Sequence, residues 1–383
     1  MNASLPLVCA HRPPCPGCPR LGEPGVAPEA LAALSALAGR HGLPEPPVTL
    51  GARTGFRLRA RLAVRGRMTA PKIGIFELGS HRVVDVPRCL VHHPLVNEVA
   101  AVLRRAIVDA RCPPYSDEAH RGVLRYVQIV VERRSETAQV VLVGASEVVD
   151  PLRDLAELLS RRLGPRLHSL FWNGNPAQTN TILGPAWQKL EGPDAVVETI
   201  GGASVFYPPA AFGQNNLDLA DSIVQVVQAK VPPGSRIVEL YAGTGALSLG
   251  LVGRSASLVA NEVSEGSLEG LRAGIAALPG ELAARVRVVP GSAAGAVGEL
   301  ASADVVIVDP PRKGLDPAVR VALEARPPSR LVYVACGVAS FLEDARALLA
   351  NGRTRLSDLR VFDLFPHTEH AEVVATFDAA PPR

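Results

Sequence analysis

One ten-residue stretch combines an apolar run, a glycine-rich turn and the start of a helix: Val238-Glu-Leu-Tyr-Ala-Gly-Thr-Gly-Ala-Leu247. Glycines let a backbone turn tightly and approach a ligand, and ligands of open α/β sheets bind beyond the carboxyl ends of the strands. Glu262 ends the next apolar run, where a carboxylate can bind ribose hydroxyls. The stretch therefore predicts a strand, a turn and a nucleotide-type site at the edge of a parallel sheet.

Strands and helices alternate around this turn from about residue 215 onward, which indicates right-handed crossovers and a parallel sheet. The predicted strands cover residues 236–240, 258–260, 286–289, 305–308 and 331–334. The predicted helices cover residues 217–230, 246–252, 266–276, 317–325 and 339–349. Two last strands, 359–362 and 371–377, have no helix between them and should pair antiparallel. The fold predicted for this half is an α/β sandwich with a seven-stranded sheet.

The front half has a different, α+β pattern. Its predicted helices are 28–39 and 152–162, and its predicted strands are 56–65, 123–132, 138–143 and 167–172. The first thirty residues are rich in Pro, Gly and Cys and lack periodicity. We therefore predict that the chain has three parts, which cover residues 1–95, 96–214 and 215–383.

Composition excludes several classes of protein. Hydrophobic residues make up 47% of the 383 residues and charged residues 20%, which excludes a disordered chain. No secretory leader or bilayer-length apolar run is visible in the sequence, so we expect a cytoplasmic protein with reduced thiols and no membrane partner. In that compartment, clustered cysteines more often bind metal or do chemistry than form disulfides. The net charge of +3 does not by itself indicate a nucleic-acid partner.

The turn favours one ligand class. A dinucleotide fingerprint would place a third glycine at position 248, where this chain has Ser248. S-adenosylmethionine (SAM) has no phosphate to neutralise, and we predict it over a dinucleotide. A tight strand-to-helix turn without a ligand is the alternative.

A second motif, Asp309-Pro-Pro-Arg-Lys-Gly314, follows the fourth strand of the parallel sheet. A D-P-P turn at this edge is found in enzymes that methylate exocyclic amines, but there an aromatic residue follows to stack on the base. Arg312 follows here, which disfavours amine methylation and leaves Asp309 as a candidate ligand-binding residue. The alternative is a loop that proline merely stiffens.

Cys336 ends the fifth strand and precedes a helix whose dipole should favour a thiolate. A lone cysteine is often a buried small hydrophobe, but this one borders the same crevice as Asp309 and the glycine turn. Thiolate addition to C6 of a pyrimidine activates C5 for methylation, and a base then removes the C5 proton. The segment Phe365-Pro-His-Thr-Glu-His-Ala-Glu372 offers His367, Glu369, His370 and Glu372 as the base, and we choose Glu372. A metal-binding cluster or a polar loop is the alternative for that segment.

These motifs resemble the RNA uridine-C5 methyltransferases of the TrmA/RumA type. The matching segments are Phe212-Gly-Gln-Asn-Asn216, the turn at 239–245, the Asp309 motif, Tyr333-Val-Ala-Cys336, the segment 365–372 and, in the front half, Gly79–Cys89. The resemblance implies a class I SAM-dependent methyltransferase fold with a Rossmann-like sheet, Cys336 as nucleophile and Glu372 as base. It implies a SAM site made by Gln214, Tyr241, Gly243, Gly245, Glu262 and Asp309. The chain departs from its relatives at Ala246, Ser292 and Gly337.

The amino-terminal cysteines also resemble one branch of this family. Cys9-x5-Cys15-x2-Cys18 with the distant Cys89 implies four thiolates that hold a [4Fe-4S] cluster within an α+β RNA-binding domain. Their spacing alone would equally fit zinc. Cys112 has no predicted role. The chain begins close to Cys9, so we expect no leading β-barrel (TRAM) domain.

The resemblance sets the expected partners. This branch acts mostly on large-subunit ribosomal RNA, so 23S rRNA is the expected substrate and tRNA the second candidate, with a monomeric enzyme and no protein partner. The alternatives are a non-catalytic iron–sulfur RNA-binding paralogue and a zinc-stabilised methyltransferase of another substrate. We expect RNA phosphates to contact an arginine-rich strand that contains no Asp or Glu. The alternative is that this strand is an ordinary edge strand whose charges face solvent. Its arginines are Arg53, Arg57, Arg59, Arg61, Arg65 and Arg67.

Overall fold

The computed structural model describes residues 7–381. The chain divides into two compact units whose segments interleave in sequence. Unit 1 comprises Ala52–Glu198 with the segment that ends at Gly22 and Pro208–Ala210. Unit 2 comprises Glu23–Gly51, Thr199–Tyr207 and the segment from Ala211 to the carboxyl end. The boundaries predicted at residues 95 and 214 stay predictions.

The strands and helices have the following bounds. The strands are β1 Val48–Thr49, β2 Arg59–Arg67, β3 Ala70–Phe76, β4 Val83–Asp85, β5 Leu124–Glu132, β6 Thr137–Gly144, β7 Leu167–Gly174, β8 Ala186–Glu191, β9 Val196–Ile200, β10 Ala203–Tyr207, β11 Arg236–Leu240, β12 Ser257–Glu262, β13 Val286–Pro290, β14 Val305–Val308, β15 Arg330–Ala335, β16 Thr354–Phe362 and β17 Glu372–Ala379. The α-helices are α1 Pro28–Arg40, α2 Pro94–Asp109, α3 Arg153–Leu163, α4 Leu217–Ala229, α5 Glu265–Ala276, α6 Gly280–Ala283, α7 Pro317–Ala325 and α8 Val338–Ala350.

The main sheet of unit 2 has the order β1-β16-β17-β15-β14-β11-β12-β13. The seven predicted strands are all present, and β1 adds an eighth by pairing parallel to β16. The strands from β15 to β13 run parallel, whereas β17 pairs antiparallel with both β15 and β16, as predicted for the chain end. The carboxyl ends of β11, β12, β14 and β15 therefore meet at one edge of the sheet.

One predicted helix of unit 2 is wrong. Residues 246–252 do not form an α-helix; a 3₁₀ helix, Leu249–Arg254, follows the glycine turn instead. The backbone is crowded there, because a Cβ on Gly250 would lie 2.0 Å from the Gly201 carbonyl oxygen. The other predicted helices of this half are present within two residues of their expected ends.

The core of unit 2 fills both faces of this sheet with apolar side chains. Tyr333 and Phe341 are fully buried and pack edge to face at 5.4 Å between ring centroids. Leu34 of α1 belongs to the same buried cluster, so a helix from the front of the sequence completes the core of this unit.

Unit 1 holds a seven-stranded sheet of order β4-β3-β2-β5-β6-β7-β8, antiparallel except for β6 and β7. Helices α2 and α3 pack against its strands. The predicted α+β character is confirmed, and each predicted strand and helix of this region is present, while α2, β3, β4 and β8 were not predicted.

The predicted arginine face of β2 is wrong as a uniform RNA-facing stripe. Arg59 and Arg65 are buried, at 8% and 6% exposure, whereas Arg61 and Arg67 are exposed. The Arg65 guanidinium donates to both carboxylate oxygens of Asp117, at 2.7 and 2.9 Å. Its charge is therefore used inside unit 1 and is not available to phosphates.

In the described part of the chain, none of the helices has the length and apolarity needed to cross a bilayer.

Candidate active site

The glycine-rich turn follows β11 and adopts a left-handed backbone at several positions. Tyr241, Gly243 and Gly245 have φ of +61°, +57° and +82°. A Cβ on Gly245 would lie 2.7 Å from Cγ of Leu249, so only glycine fits there. Non-glycine residues adopt this conformation at a cost and cluster at functional sites, which makes Tyr241 a notable exception.

Glu262 ends β12 and holds this turn in place. Its Oε2 accepts the Gly243 amide hydrogen at 2.8 Å, and its Oε1 accepts that of Ser264 at 2.7 Å. The predicted SAM residues Gly243 and Glu262 are thus in direct contact. Glu262 is 8% exposed and lies at the edge of the sheet where the parallel strands end.

Glu239 is a buried carboxyl behind the same turn. Ser248 donates a hydrogen bond to its Oε2, while its Oε1 is without a hydrogen-bond partner in the described residues. The pKa of Glu239 is raised to about 8, mainly by burial and also by the charges of Asp309 and Glu262, although the Ser248 hydroxyl acts in the opposite direction. Glu239 is therefore mainly protonated near neutral pH, which the sequence did not predict.

Three strand ends bring the predicted nucleophile and base together. Asp309 follows β14 and Cys336 follows β15, which is its parallel neighbour. Ala335 pairs with Val373 in the antiparallel register of β15 and β17, so the next residues outward are Cys336 and Glu372. Topology thus places the thiol and the carboxyl opposite each other, beside Asp309.

Glu372 is the least satisfied polar side chain of this group. It is 1% exposed, and neither carboxyl oxygen has a hydrogen-bond partner in the described part of the chain. Burial raises its pKa well above the ordinary value, the Asp309 charge raises it further, and Arg312 lowers it. Burial also raises the pKa of Asp309 to about 7. The two carboxyls repel each other when both are charged, so together they hold a proton near neutral pH.

The Cys336 thiol does not have the thiolate character expected from its helix N-terminus. Burial raises its pKa to about 11, and the nearby Glu372 and Asp309 raise it as well. Arg312 lowers it, yet burial and two carboxyls outweigh one exposed guanidinium. The helix dipole acts in the same direction as Arg312, toward the thiolate. Arg312 is the charged neighbour of the thiol to which sequence reasoning assigned no role.

The remaining predicted residues have less informative surroundings. Gln214 lies half-buried in the loop before α4, and its predicted role stays a prediction. Ser292, one of the departures, accepts the Gly295 amide hydrogen at 3.3 Å and begins a 3₁₀ helix.

The four predicted cluster cysteines all belong to unit 1. The pKa of Cys18 is raised to about 11, mainly by burial and also by the charges of Cys89, Cys15 and Cys9, so the four thiols are electrostatic neighbours. Arg57 opposes them. Asn97 of α2 bonds both the amide and the carbonyl of Cys89, at 3.2 and 3.0 Å. Within residues 7–381, however, no group of three or more His, Cys, Asp or Glu side chains is arranged to hold a metal ion.

Known proteins similar to this chain are RNA methyltransferases. The family model of tRNA (uracil-5-)-methyltransferases matches residues 298–378, which include Asp309, Cys336 and Glu372. An RNA methyltransferase of Protochlamydia amoebophila is 33% identical over 380 residues, which cover 97% of each chain. The chain belongs to the RNA methyltransferase family of this relative. A second relative of this family, from Geobacter sulfurreducens, is 30% identical over 86% of the chain and 66% of its own length.

The family's fold is also found among solved structures. The tRNA (uracil-54, C5)-methyltransferase of Pyrococcus abyssi, crystallised with S-adenosyl-L-homocysteine, superposes with a TM-score of 0.74 at 23% identity. The match covers 91% of this chain and 83% of that one. The class I methyltransferase fold that the resemblance implied is thereby confirmed.

Proposed function

We propose that this protein is a SAM-dependent methyltransferase that acts on C5 of a uridine in RNA, with Cys336 as nucleophile and Glu372 as base. The observation that carries the proposal is the pairing of a thiol with a buried carboxyl that has no hydrogen-bond partner in the described residues. A buried carboxyl left unsatisfied is costly, and a C5 proton acceptor is a reason to keep one.

The charged groups around Cys336 suit the nucleophilic step. The thiolate of Cys336 would add to C6 of the uracil, which leaves electron density at C5. Arg312 favours that thiolate, because its charge lowers the pKa of Cys336. The proton lost by the thiol would pass to bulk water, so that the Asp309–Glu372 pair keeps the carboxylate that the second step needs.

Glu372 suits the second step. SAM would supply the methyl group to C5 as an electrophile. The carboxylate of Glu372 then removes the C5 proton, and the bond between Cys336 and C6 breaks to restore the thiolate and the aromatic base. A carboxylate whose pKa is raised by burial is a stronger base than one in water, which favours this proton transfer.

The acidic residues around the turn fit a positively charged cofactor. The charges of Asp309 and Glu262 raise the pKa of Glu239, so the three carboxyls lie near one another at the edge of the sheet. SAM carries a sulfonium and an ammonium group, and it would relieve the repulsion between these carboxyls. Tyr241, Gly243 and Gly245 form the turn that such a ligand would contact, with Gln214 as a further contact implied by resemblance.

We propose further that Cys9, Cys15, Cys18 and Cys89 hold a [4Fe-4S] cluster. A cluster of this kind binds each thiolate through a different iron, so it needs four thiols around one body rather than convergence on a single ion. The mutual influence of these thiols on the pKa of Cys18 supports the proposal, as does the cationic Arg57 beside Cys18 and Cys89. Anaerobic purification should give a brown protein with about four irons per chain. A colourless protein that contains zinc would support the zinc alternative instead.

The proposed substrate is 23S rRNA, with tRNA as the second candidate. The test incubates the purified protein with SAM and, separately, transcripts of 23S rRNA and of tRNA, and maps 5-methyluridine by nuclease digestion and mass spectrometry. The proposal predicts 5-methyluridine in the rRNA transcript. Product in tRNA alone would change the substrate but not the chemistry, and binding of RNA without product in either would favour the non-catalytic paralogue.

A further inference from the structure

The loop from Asp309 to Asp316 is tied to helix α8, which begins directly after Cys336 and Gly337. Asp344 of α8 is 3% exposed, and its Oδ2 accepts the Leu315 amide hydrogen at 2.8 Å. The same oxygen accepts the hydroxyl hydrogen of Tyr333 at 2.7 Å, three residues before Cys336 on β15. One buried carboxylate thus joins the loop, the helix and the strand that ends at the nucleophile.

A second tie lies one turn earlier on α8. The Ser340 hydroxyl donates to the Arg312 carbonyl oxygen at 2.8 Å. This bond fixes the backbone from which the Arg312 side chain extends. Arg312 is the residue whose charge opposes Glu372 and Asp309 at the Cys336 thiol.

Two glycines allow these close approaches. A Cβ at Gly337 would lie 2.7 Å from the Arg312 carbonyl oxygen, and a Cβ at Gly314 would lie 2.6 Å from Oδ2 of Asp344. Both separations are too short for a side chain. Glycine at position 337 therefore makes room for the loop, whose Arg312 carbonyl is held by the Ser340 hydroxyl.

The far end of the loop is fixed from the glycine turn. The Asp316 amide donates to the Tyr241 hydroxyl at 3.0 Å. The Asp316 side chain in turn accepts the Ala318 amide hydrogen at 3.0 Å and caps α7. The loop is thus held on both sides, while the charges of Asp309 and Arg312 act from it on the reacting groups.

We propose that Ser340 and Asp344 are positioning residues that hold the Asp309–Asp316 loop in the geometry that methyl transfer requires; this inference rests on the proposed function. Neither residue needs to touch RNA or SAM. Because a displacement of about 1 Å in a reacting group can cost about a hundredfold in rate, loosening this loop should slow the chemistry without unfolding the protein.

The test compares Ser340→Ala and Asp344→Asn with the wild-type protein in single-turnover methylation of 23S rRNA at saturating SAM. We expect the rate constant to fall about tenfold for Ser340→Ala and about a hundredfold for Asp344→Asn. The amplitude, which counts active molecules, should stay at the wild-type value. Ser340→Thr keeps the hydroxyl and should restore most of the rate.

Two variants serve as matched controls. Ser222→Ala removes another hydroxyl bonded to a backbone carbonyl, at Asp218 of α4, and should react at the wild-type rate. Arg320→Gln removes the 3.5 Å ion pair with Oδ1 of Asp344 and leaves the bond to Leu315 in place, so it should also keep the rate.

The outcomes separate this inference from the proposed function. If the wild-type protein methylates no RNA, the proposed function fails first. If it is active and both variants keep its rate constant, the positioning role is overturned. A lower amplitude or a lower midpoint of thermal unfolding, with an unchanged rate constant, would also overturn the positioning role. That result would show that the residue only stabilises the fold.

Discussion

Two buried ionisable side chains, one in each unit, differ in whether their polar atoms have hydrogen-bond partners. Arg65 of unit 1 donates to both oxygens of Asp117 and to the carbonyls of Val64 and Arg125. Three aromatic rings, of Phe76, Tyr115 and Tyr126, lie within 5.5 Å of its guanidinium carbon. Glu372 of unit 2 is more deeply buried, yet neither of its oxygens has a hydrogen-bond partner in the described residues.

The difference indicates what each group is for. A buried charge whose hydrogen bonds are all satisfied can stabilise a fold, whereas an unsatisfied one lowers stability and persists where chemistry needs it. We therefore assign Arg65 a structural role and propose a chemical one for Glu372. Substitutions should affect stability at the first position and reaction rate at the second.

We expect the largest effect on the methylation reaction from the substitution Glu372→Gln. Without a carboxylate, the C5 proton stays in place and the rate of product release should fall about 10³-fold. A covalent complex between Cys336 and methylated RNA should accumulate, visible as a denaturation-resistant band.

Glu369→Gln is the matched control, because Glu369 lies three positions earlier in the same segment and is exposed. It should release product at the wild-type rate. Equal losses for both variants would remove the contrast between Glu372 and its surroundings.

The next effect concerns stability in unit 1. Arg65→Gln removes the hydrogen bonds of a buried guanidinium and leaves the half-buried Asp117 without its partner, so it should lower the free energy of unfolding by about 3 kcal/mol. Arg67→Gln, on the exposed end of the same strand, should change it by less than about 0.5 kcal/mol. Chemical denaturation measures both, and equal values would show that Arg65 is not the structural charge described here.

Glu372→Gln should have a smaller effect on stability than Arg65→Gln, and it should raise the free energy of unfolding rather than lower it. In the unfolded chain this carboxyl loses its proton near its ordinary pKa of 4.5, but the folded protein keeps it to a higher pH. Above pH 4.5 the unfolded state binds fewer protons, so wild-type stability falls as pH rises toward the folded pKa. Glu372→Gln removes this loss and should be more stable than wild type by about 1–2 kcal/mol at pH 8. A difference that does not grow between pH 4.5 and pH 8 would contradict the raised pKa.

The smallest effect concerns thiol reactivity. Glu372 raises the pKa of Cys336 and Arg312 lowers it. At pH 9, iodoacetamide should therefore alkylate Cys336 about threefold faster in Glu372→Gln and about threefold slower in Arg312→Gln than in wild type. Mass spectrometry of the Cys336 peptide measures the rates, and changes of the same sign in both variants would refute this electrostatic account.

The sequence predicted the structure correctly where a local pattern is compatible with only one conformation. The glycine turn, the strand ends at Asp309 and Cys336, and the antiparallel chain end follow from glycine's conformational freedom and from strand periodicity. The register that sets Glu372 opposite Cys336 depends on long-range pairing, and no local pattern encodes it. Arg65 shows the limit most clearly, since an alternating arginine strand looks solvated until Asp117, fifty-two positions away, is found beside it.

The most direct test of the proposed chemistry uses 23S rRNA transcribed with 5-fluorouridine. Fluorine at C5 cannot be removed as a proton, so the methylated adduct cannot release its thiol. Incubation with SAM should give a denaturation-resistant RNA–protein complex whose tryptic digest carries the nucleotide on Cys336, and Cys336→Ser should give none. A protein that binds both SAM and this RNA but forms no complex, or forms it through another residue, would contradict the account.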